Sequence, residues 1–167
     1  MTYNLDQFAA DCREALQADN GPDGREQVRQ CVERALKDEA FVGEHLSGDS
    51  HKEREILYED PDLGFCICAH IYTGAKQGQP HDHGPTWAIY GQAVGETEMT
   101  DWKIVSAPSG DTPGKVEKVK SYRMVPGDAH VYEAGDVHAP LRDGPTRLIR
   151  IEGQNTDNIQ RTPLEAA

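Results

Sequence analysis

Apolar and polar positions fall into two textures along the chain. Over the first forty residues the apolar ones recur at three- and four-residue steps, so Leu5, Phe8, Ala9, Cys12 and Leu16 form one helical stripe. The run "DNGPDG", Asp19 to Gly24, predicts the end of that helix, because glycine accepts the left-handed cap and proline cannot continue the turn. A second helix is predicted from about Arg25 to about Asp38, with Val28, Cys31, Val32, Ala35 and Leu36 turned inward. After about Glu53 the pattern shortens. "REILYED", "FCICAHIYT", "TWAIYGQAVGETEMTDWKIV", "KVEKVKSYRMV", "AHVYEA" and "TRLIRIEG" read as strands. The turns between them are "DPDLG", "GAKQGQP", "APSGDTPGK", "PGD", "AGD" and "RDGP". Many short antiparallel strands behind two N-terminal α-helices predict a mostly β fold, a sandwich or barrel in which the jelly roll fits best.

Length and charge narrow the function. The 167 residues predict one domain spanning 1–167, with a helical segment over 1–45 and a β-barrel over 53–153. The formal net charge is -12 and no run of lysine or arginine exceeds a pair, which argues against nucleic-acid and membrane partners. The N-terminus has no basic start followed by an apolar run, and no stretch approaches the roughly 20 apolar residues of a membrane span. A cytoplasmic protein, monomeric or a homodimer, is the expectation. Cys12, Cys31, Cys66 and Cys68 lack zinc-site or redox spacing; Cys66 and Cys68 share one strand face as small buried side chains.

The chemistry gathers at "QPHDHGPTWAIYGQ", Gln79 to Gln92. Residues two apart on a strand point the same way, so His81 and His83 can offer two imidazoles to one ion while Asp82 faces away. Neutral imidazole suits iron, zinc, copper and nickel. A third histidine is offered twice, by "PGDAH" ending at His130 and by "AGDVH" ending at His138. His138, followed by one turn and the closing strand, is the favoured choice. His45, His51 and His70 read as surface or satisfied core histidines.

Here the sequence resembles a known family. "HDHG" with "AIYG" from Gly74 to Gly91 looks like the first cupin motif, and "GDVHAP" from Gly135 to Pro140 looks like the second. Over roughly residues 54–153 the chain is similar to the cysteine dioxygenase-like, or thiol dioxygenase-like, group of small bacterial cupins. That resemblance implies a cupin double-stranded β-helix and a mononuclear iron(II) held by His81, His83 and His138, with nickel, manganese or zinc acceptable to the same donors. It further implies a small-molecule substrate and O2 as partners, and a dioxygenase activity. The general cupin glutamate ligand would fall at Trp87 or Ala88, so the implied site has three neutral ligands. An ion in it keeps its full positive charge and favours an anionic substrate, a thiol or a carboxylate.

The resemblance also implies roles around the metal. Arg54, in "REILYEDPDLGF", matches the early-strand arginine that grips a substrate carboxylate, a task suited to a planar guanidinium; the alternative is a surface arginine in "HKERE". The cysteine that cross-links to tyrosine would fall at Ala88, so that bond cannot form. The family's serine-histidine-tyrosine relay would fall near Leu148, Arg150 and Glu152 and is not retained, which points away from cysteine itself as substrate. Turned inward, Arg150 supplies a second cation and Glu152 a partner or catalytic base; the alternative is an ion pair at the barrel rim. Trp87, Tyr90 and Tyr72 are expected near the metal as pocket walls or core. Tyr122 and Tyr132 carry the same two readings. Two further functions remain open: a non-catalytic metal-binding or ligand-sensing cupin, and a metal-dependent isomerase or lyase.

Overall fold

The computed structural model describes residues 2–47 and 52–167. The helices are α1 (Leu5–Ala18), α2 (Pro22–Leu36) and α3 (Glu39–His45). The strands are β1 (Arg54–Glu59), β2 (Cys66–Tyr72), β3 (Lys76–Gln77), β4 (Ala88–Val94), β5 (Thr97–Ser106), β6 (Gly114–Met124), β7 (Ala129–Tyr132), β8 (Val137–Arg142), β9 (Thr146–Glu152) and β10 (Leu164–Ala166). A single 3-10 turn, Thr156–Asn158, precedes β10.

Local chemistry explains the helix ends. Asn4 closes a capping box on α1: its side chain accepts from the Gln7 amide, and the Gln7 side chain accepts from the Asn4 amide. Pro22 opens α2 in the first turn, where its missing N–H costs nothing, so this helix starts before the predicted Arg25. The third helix was not predicted. Asp38 caps it by accepting from the Phe41 amide at 3.0 Å, and at seven residues it is too short to show a periodic stripe.

The strands form two five-stranded sheets, ordered β1-β2-β9-β4-β7 and β10-β6-β5-β8-β3. With the outer β1 and β10 set aside, consecutive strands from β2 to β9 alternate between sheets except at the β5–β6 hairpin. This is the double Greek key of a jelly roll, the expected double-stranded β-helix. Three strand readings change. The long run from Thr86 to Val105 folds at Gly95 into β4 and β5; β3 lies inside "GAKQGQP"; and β8 occupies the stretch read as site and turn. Beyond residue 153 the chain continues as a strap that ends in β10, paired parallel to β6.

Alternation along the first sheet creates two compartments. Ile67, Ala69, Ile89, Ile149 and Ile151 face the helices and pack with Phe8, Val28, Val32 and Phe41. The opposite face points into the barrel, where Ala88, Tyr90, Met99, Met124 and Tyr132 form a separate cluster. Cys66 and Cys68 are fully buried, and burial pushes both thiols up to about 12, so they stay protonated and inert. Among the described residues no helix is long and apolar enough to cross a membrane.

The helix layer closes on the barrel at Gly91. A Cβ there would stand 2.5 Å from Val32 Cγ1 and 3.1 Å from Leu36 Cδ1. Gly91→Ala is therefore expected to destabilise the fold by about 1–3 kcal/mol through overpacking, read as a lower urea midpoint. An unchanged midpoint would show that α2 has room to retreat.

Candidate metal centre

Main-chain pairing assembles the site. His81 and His138 form an isolated antiparallel bridge and exchange both backbone hydrogen bonds, each amide donating to the other's carbonyl at 3.0 Å. Two residues 57 positions apart thereby acquire a fixed spacing. His83 enters after Asp82, and their three side chains offer ligand atoms that all lie within 4.8 Å of one another. The ring centroids are 4.7 Å apart for His81 and His138, 4.9 Å for His83 and His138, and 5.5 Å for His81 and His83.

Asp82 faces away, as its place between the histidines requires. Its buried carboxylate accepts from the Gly84 amide at 2.9 Å, the Thr162 amide at 3.1 Å and the Thr162 hydroxyl at 2.5 Å. Gly84 is needed twice over: its φ is +60°, and a Cβ would meet the Gln160 carbonyl oxygen at 2.5 Å. So "HDHG" both presents two imidazoles and anchors the strap that runs across the pocket.

The donors are neutral and aimed. The His81 Nδ1–H donates to the Gln79 carbonyl at 2.7 Å, which leaves Nε2 with its lone pair free. Burial holds His81 down to about 4 and pulls His83 and His138 well below the ordinary imidazole range. Three neutral imidazoles, two buried and one half-buried, with no carboxylate in the cluster fit a divalent transition-metal ion. His130 lies elsewhere, on β7, with its ring 5.0 Å from that of Tyr122 and outside the cluster.

A cavity of about 470 Å³, the size of a small-molecule site, opens beside His81. Its wall places the other candidates. Arg54 lies there and is not loose on the surface: it donates to Glu152 at 2.7 Å, Asp157 at 2.8 Å and Asn155 at 3.2 Å. Arg150 faces inward, paired through Nε with Glu152 Oε2 at 2.9 Å, its guanidinium 5.2 Å from the Tyr90 ring centre. Glu152 is fully buried and also accepts from the Thr156 amide and hydroxyl, each at 3.1 Å. Arg150 and Glu152 thus point inward and form an ion pair with each other. Glu152 is a counter-ion shared by two arginines and tied to the strap.

Tyr90 reaches the histidines themselves, with its hydroxyl 2.9 Å from His83 Nε2 and 3.2 Å from His138 Nε2. Trp87 does not. It packs on the helix side of the sheet with the main apolar core, so its expected place at the metal is corrected. The turn from His83 to Thr86, closed by a 3.3 Å hydrogen bond, interrupts the strand before Trp87 and so separates its facing from that of His83. His51 lies outside the described residues, and His45 packs on Phe41 at 4.7 Å.

Two pocket residues escaped the sequence reading. Arg142 ends β8 on the same face as His138 and Pro140; its first letter in "RDGP" was read as a turn. It is 4% exposed, stacks on the Tyr72 ring at 4.7 Å, and forms no ion pair among the described residues. Burial pulls it below the usual arginine range. The even spacing 138, 140, 142 was the signal available. His70 was read as a satisfied core or surface histidine; it lines the cavity instead. Its Nδ1 lies 3.1 Å from the Tyr72 hydroxyl and its Nε2 is buried with no hydrogen-bond partner among the described residues.

No family model matches the chain, and no curated protein does. Solved structures similar to it include KdgF from Halomonas sp., at 17% identity and a TM-score of 0.46 over 64% of this chain and 82% of that one. A cupin superfamily protein from Desulfitobacterium hafniense is similar at 12% identity and 0.44, covering 70% and 84%. A Klebsiella pneumoniae protein with a double-stranded β-helix domain stands at 16% and 0.45, covering 74% and 94%. At that level of similarity nothing about activity carries over to this chain.

The buried imidazoles set a pH dependence for the metal-free protein. Their folded-state affinity for protons is depressed, so the unfolded chain, with histidines near 6.5, takes up protons that the folded one refuses. Stability is fully present above that value and is lost as pH falls below it, by up to about 1.4 kcal/mol per pH unit for each such histidine. Urea unfolding is expected to give a flat profile above about pH 7 and a steep loss towards about pH 5.5. His70→Asn should lower the slope by roughly one proton; an unchanged slope would contradict the neutral, buried His70.

Proposed function

We propose that the chain is a mononuclear non-haem iron(II) dioxygenase of the cysteine dioxygenase-like cupin type, acting on a small carboxylate-bearing substrate with O2. One observation carries the reading: a carboxylate-free cluster of three neutral imidazoles opens onto a pocket whose buried Arg142 has no counter-ion among the described residues. Iron(II) bound there supplies Lewis acidity towards the substrate and electrons towards oxygen, while nickel, manganese and zinc suit the same donors.

The chain's own residues do the binding and positioning. Arg142 offers a rigid planar fork whose desolvation is offset only when an anion arrives. Arg150 adds charge on the neighbouring strand, though Glu152 already neutralises part of it. Arg54, expected from the resemblance to grip the carboxylate, is engaged by Glu152, Asp157 and Asn155 and holds the strap against the wall. The gripping role therefore passes to Arg142. Leu148, Pro140 and Ile159 line the cavity and exclude water from it. The Nε2 of His70 can accept a hydrogen bond from a substrate thiol or hydroxyl, its other nitrogen being steadied by Tyr72.

Iron content is expected to vanish in the triple variant His81→Ala, His83→Ala, His138→Ala, and its retention would refute the site. Oxygen uptake by iron-loaded protein prepared without oxygen should occur with one member of a panel of thiols, amino acids and hydroxy or keto acids. Turnover without oxygen consumption would point to an isomerase or lyase, and ligand binding without turnover to a sensing module. Arg142→Leu separates binding from stability. It should lower kcat/KM by about 2–4 kcal/mol, roughly 30- to 1000-fold. The same change should raise the stability of the ligand-free protein by about 1 kcal/mol or more, because it removes an uncompensated buried charge. Loss of stability with unchanged kcat/KM would assign Arg142 to the scaffold.

A further inference from the structure

We infer that Tyr90 is a fourth protein ligand, binding the metal through its phenolate oxygen beside His81, His83 and His138. The inference rests on the three-histidine reading and goes beyond it. Two donor atoms at right angles on an ion with bonds of about 2.1 Å stand about 3.0 Å apart. The Tyr90 oxygen is 2.9 Å from His83 Nε2 and 3.2 Å from His138 Nε2, the spacing of neighbouring ligands on one ion. An ion that bonded both nitrogens on the side facing Tyr90 would have this oxygen within its own shell. A hydroxyl carries one proton and can donate to only one of the two nitrogens at a time.

The strand explains why this residue and no carboxylate takes the position. On β4 Ala88 and Tyr90 share the inner face, whereas Trp87 turns to the helices. Ala88 has nothing to offer an ion, and the longer Tyr90 reaches across from the next inward position. Its ring is held on two sides: the Tyr132 ring lies 5.1 Å away and the Arg150 guanidinium 5.2 Å from its centre. Tyr90 is 5% exposed and its ring torsions have little freedom to turn aside.

The bond forms with release of one proton per metal, which leaves through the pocket to solvent; no electrons move. A divalent ion then carries a net single positive charge instead of two. Four protein donors would still leave an ion open towards the cavity, where a small substrate could approach it. A hard anionic oxygen also favours the trivalent over the divalent state of iron.

Colour tests this directly. The full chain, loaded with iron(II) and then oxidised in air, should show a visible phenolate-to-iron charge-transfer band with phenolate modes in its resonance Raman spectrum. Tyr90→Phe should bind the same amount of iron and lose the band completely, while Tyr132→Phe keeps it. Iron retained by wild-type protein through the histidines but without the band would overturn the tyrosine ligand and leave the three-histidine site standing. A band that persists in Tyr90→Phe would overturn it equally. Iron binding that survives removal of all three histidines would overturn both readings. The wild-type spectrum is decisive even if a variant fails to fold.

Discussion

The paired backbone hydrogen bonds between His81 and His138 are the constraint on which the rest depends. They join the segment before β4 to the start of β8, so the two ends of a long excursion through four strands meet at one rung. Side chains on that rung then inherit their spacing from the backbone. His83 follows from the same segment, and Arg142 follows from β8 at the even interval that returns to the inner face. One rung of backbone thus places both the donor cluster and the cation that looks on to it.

Charge is distributed to serve that interior. The chain carries a formal -12, yet the cavity wall collects Arg54, Arg142, Arg150 and Arg161. Buried Glu152 neutralises the inner pair, and Asp157 on the strap takes the outward side of Arg54. Arg142 is buried and has no ion-pair partner among the described residues, a cost of several kcal/mol in a ligand-free protein. Such a cost is sensible where an anion is expected. Asp82, tying Thr162 across the mouth, makes the same peptide that presents two histidines also hold down the cover.

How much of this was legible follows from where periodicity holds. The helical stripe of α1, the branched strands and the alternation along β9 were readable because each lies within one regular element. That alternation is what opened the inward reading of Arg150 and Glu152 beside the alternative of an ion pair at the rim. Trp87 and Tyr90 were both expected near the metal as pocket walls or core. The turn at Gly84 to Thr86 resets the count, sending Trp87 to the helix core and Tyr90 to the cluster. Arg142 was hidden because the proline and glycine after it advertise a turn, although the strand runs through Arg142 before turning. His70 looked like core because its strand neighbours are cysteine, alanine and isoleucine; only the pairing of β2 with β9 brings it opposite Leu148 and into the cavity. The strap had no readable pattern, since its place comes from side-chain hydrogen bonds to Asp82 and Glu152.

The central claim is that His81, His83 and His138 hold one transition-metal ion. X-ray absorption on the iron-loaded chain tests it most directly, because the spectrum reports the atoms bonded to the metal and the multiple scattering of imidazole rings. The account predicts a mononuclear ion with about three imidazole nitrogens near 2.1 Å. A shell of oxygen or sulfur with no imidazole scattering would contradict it.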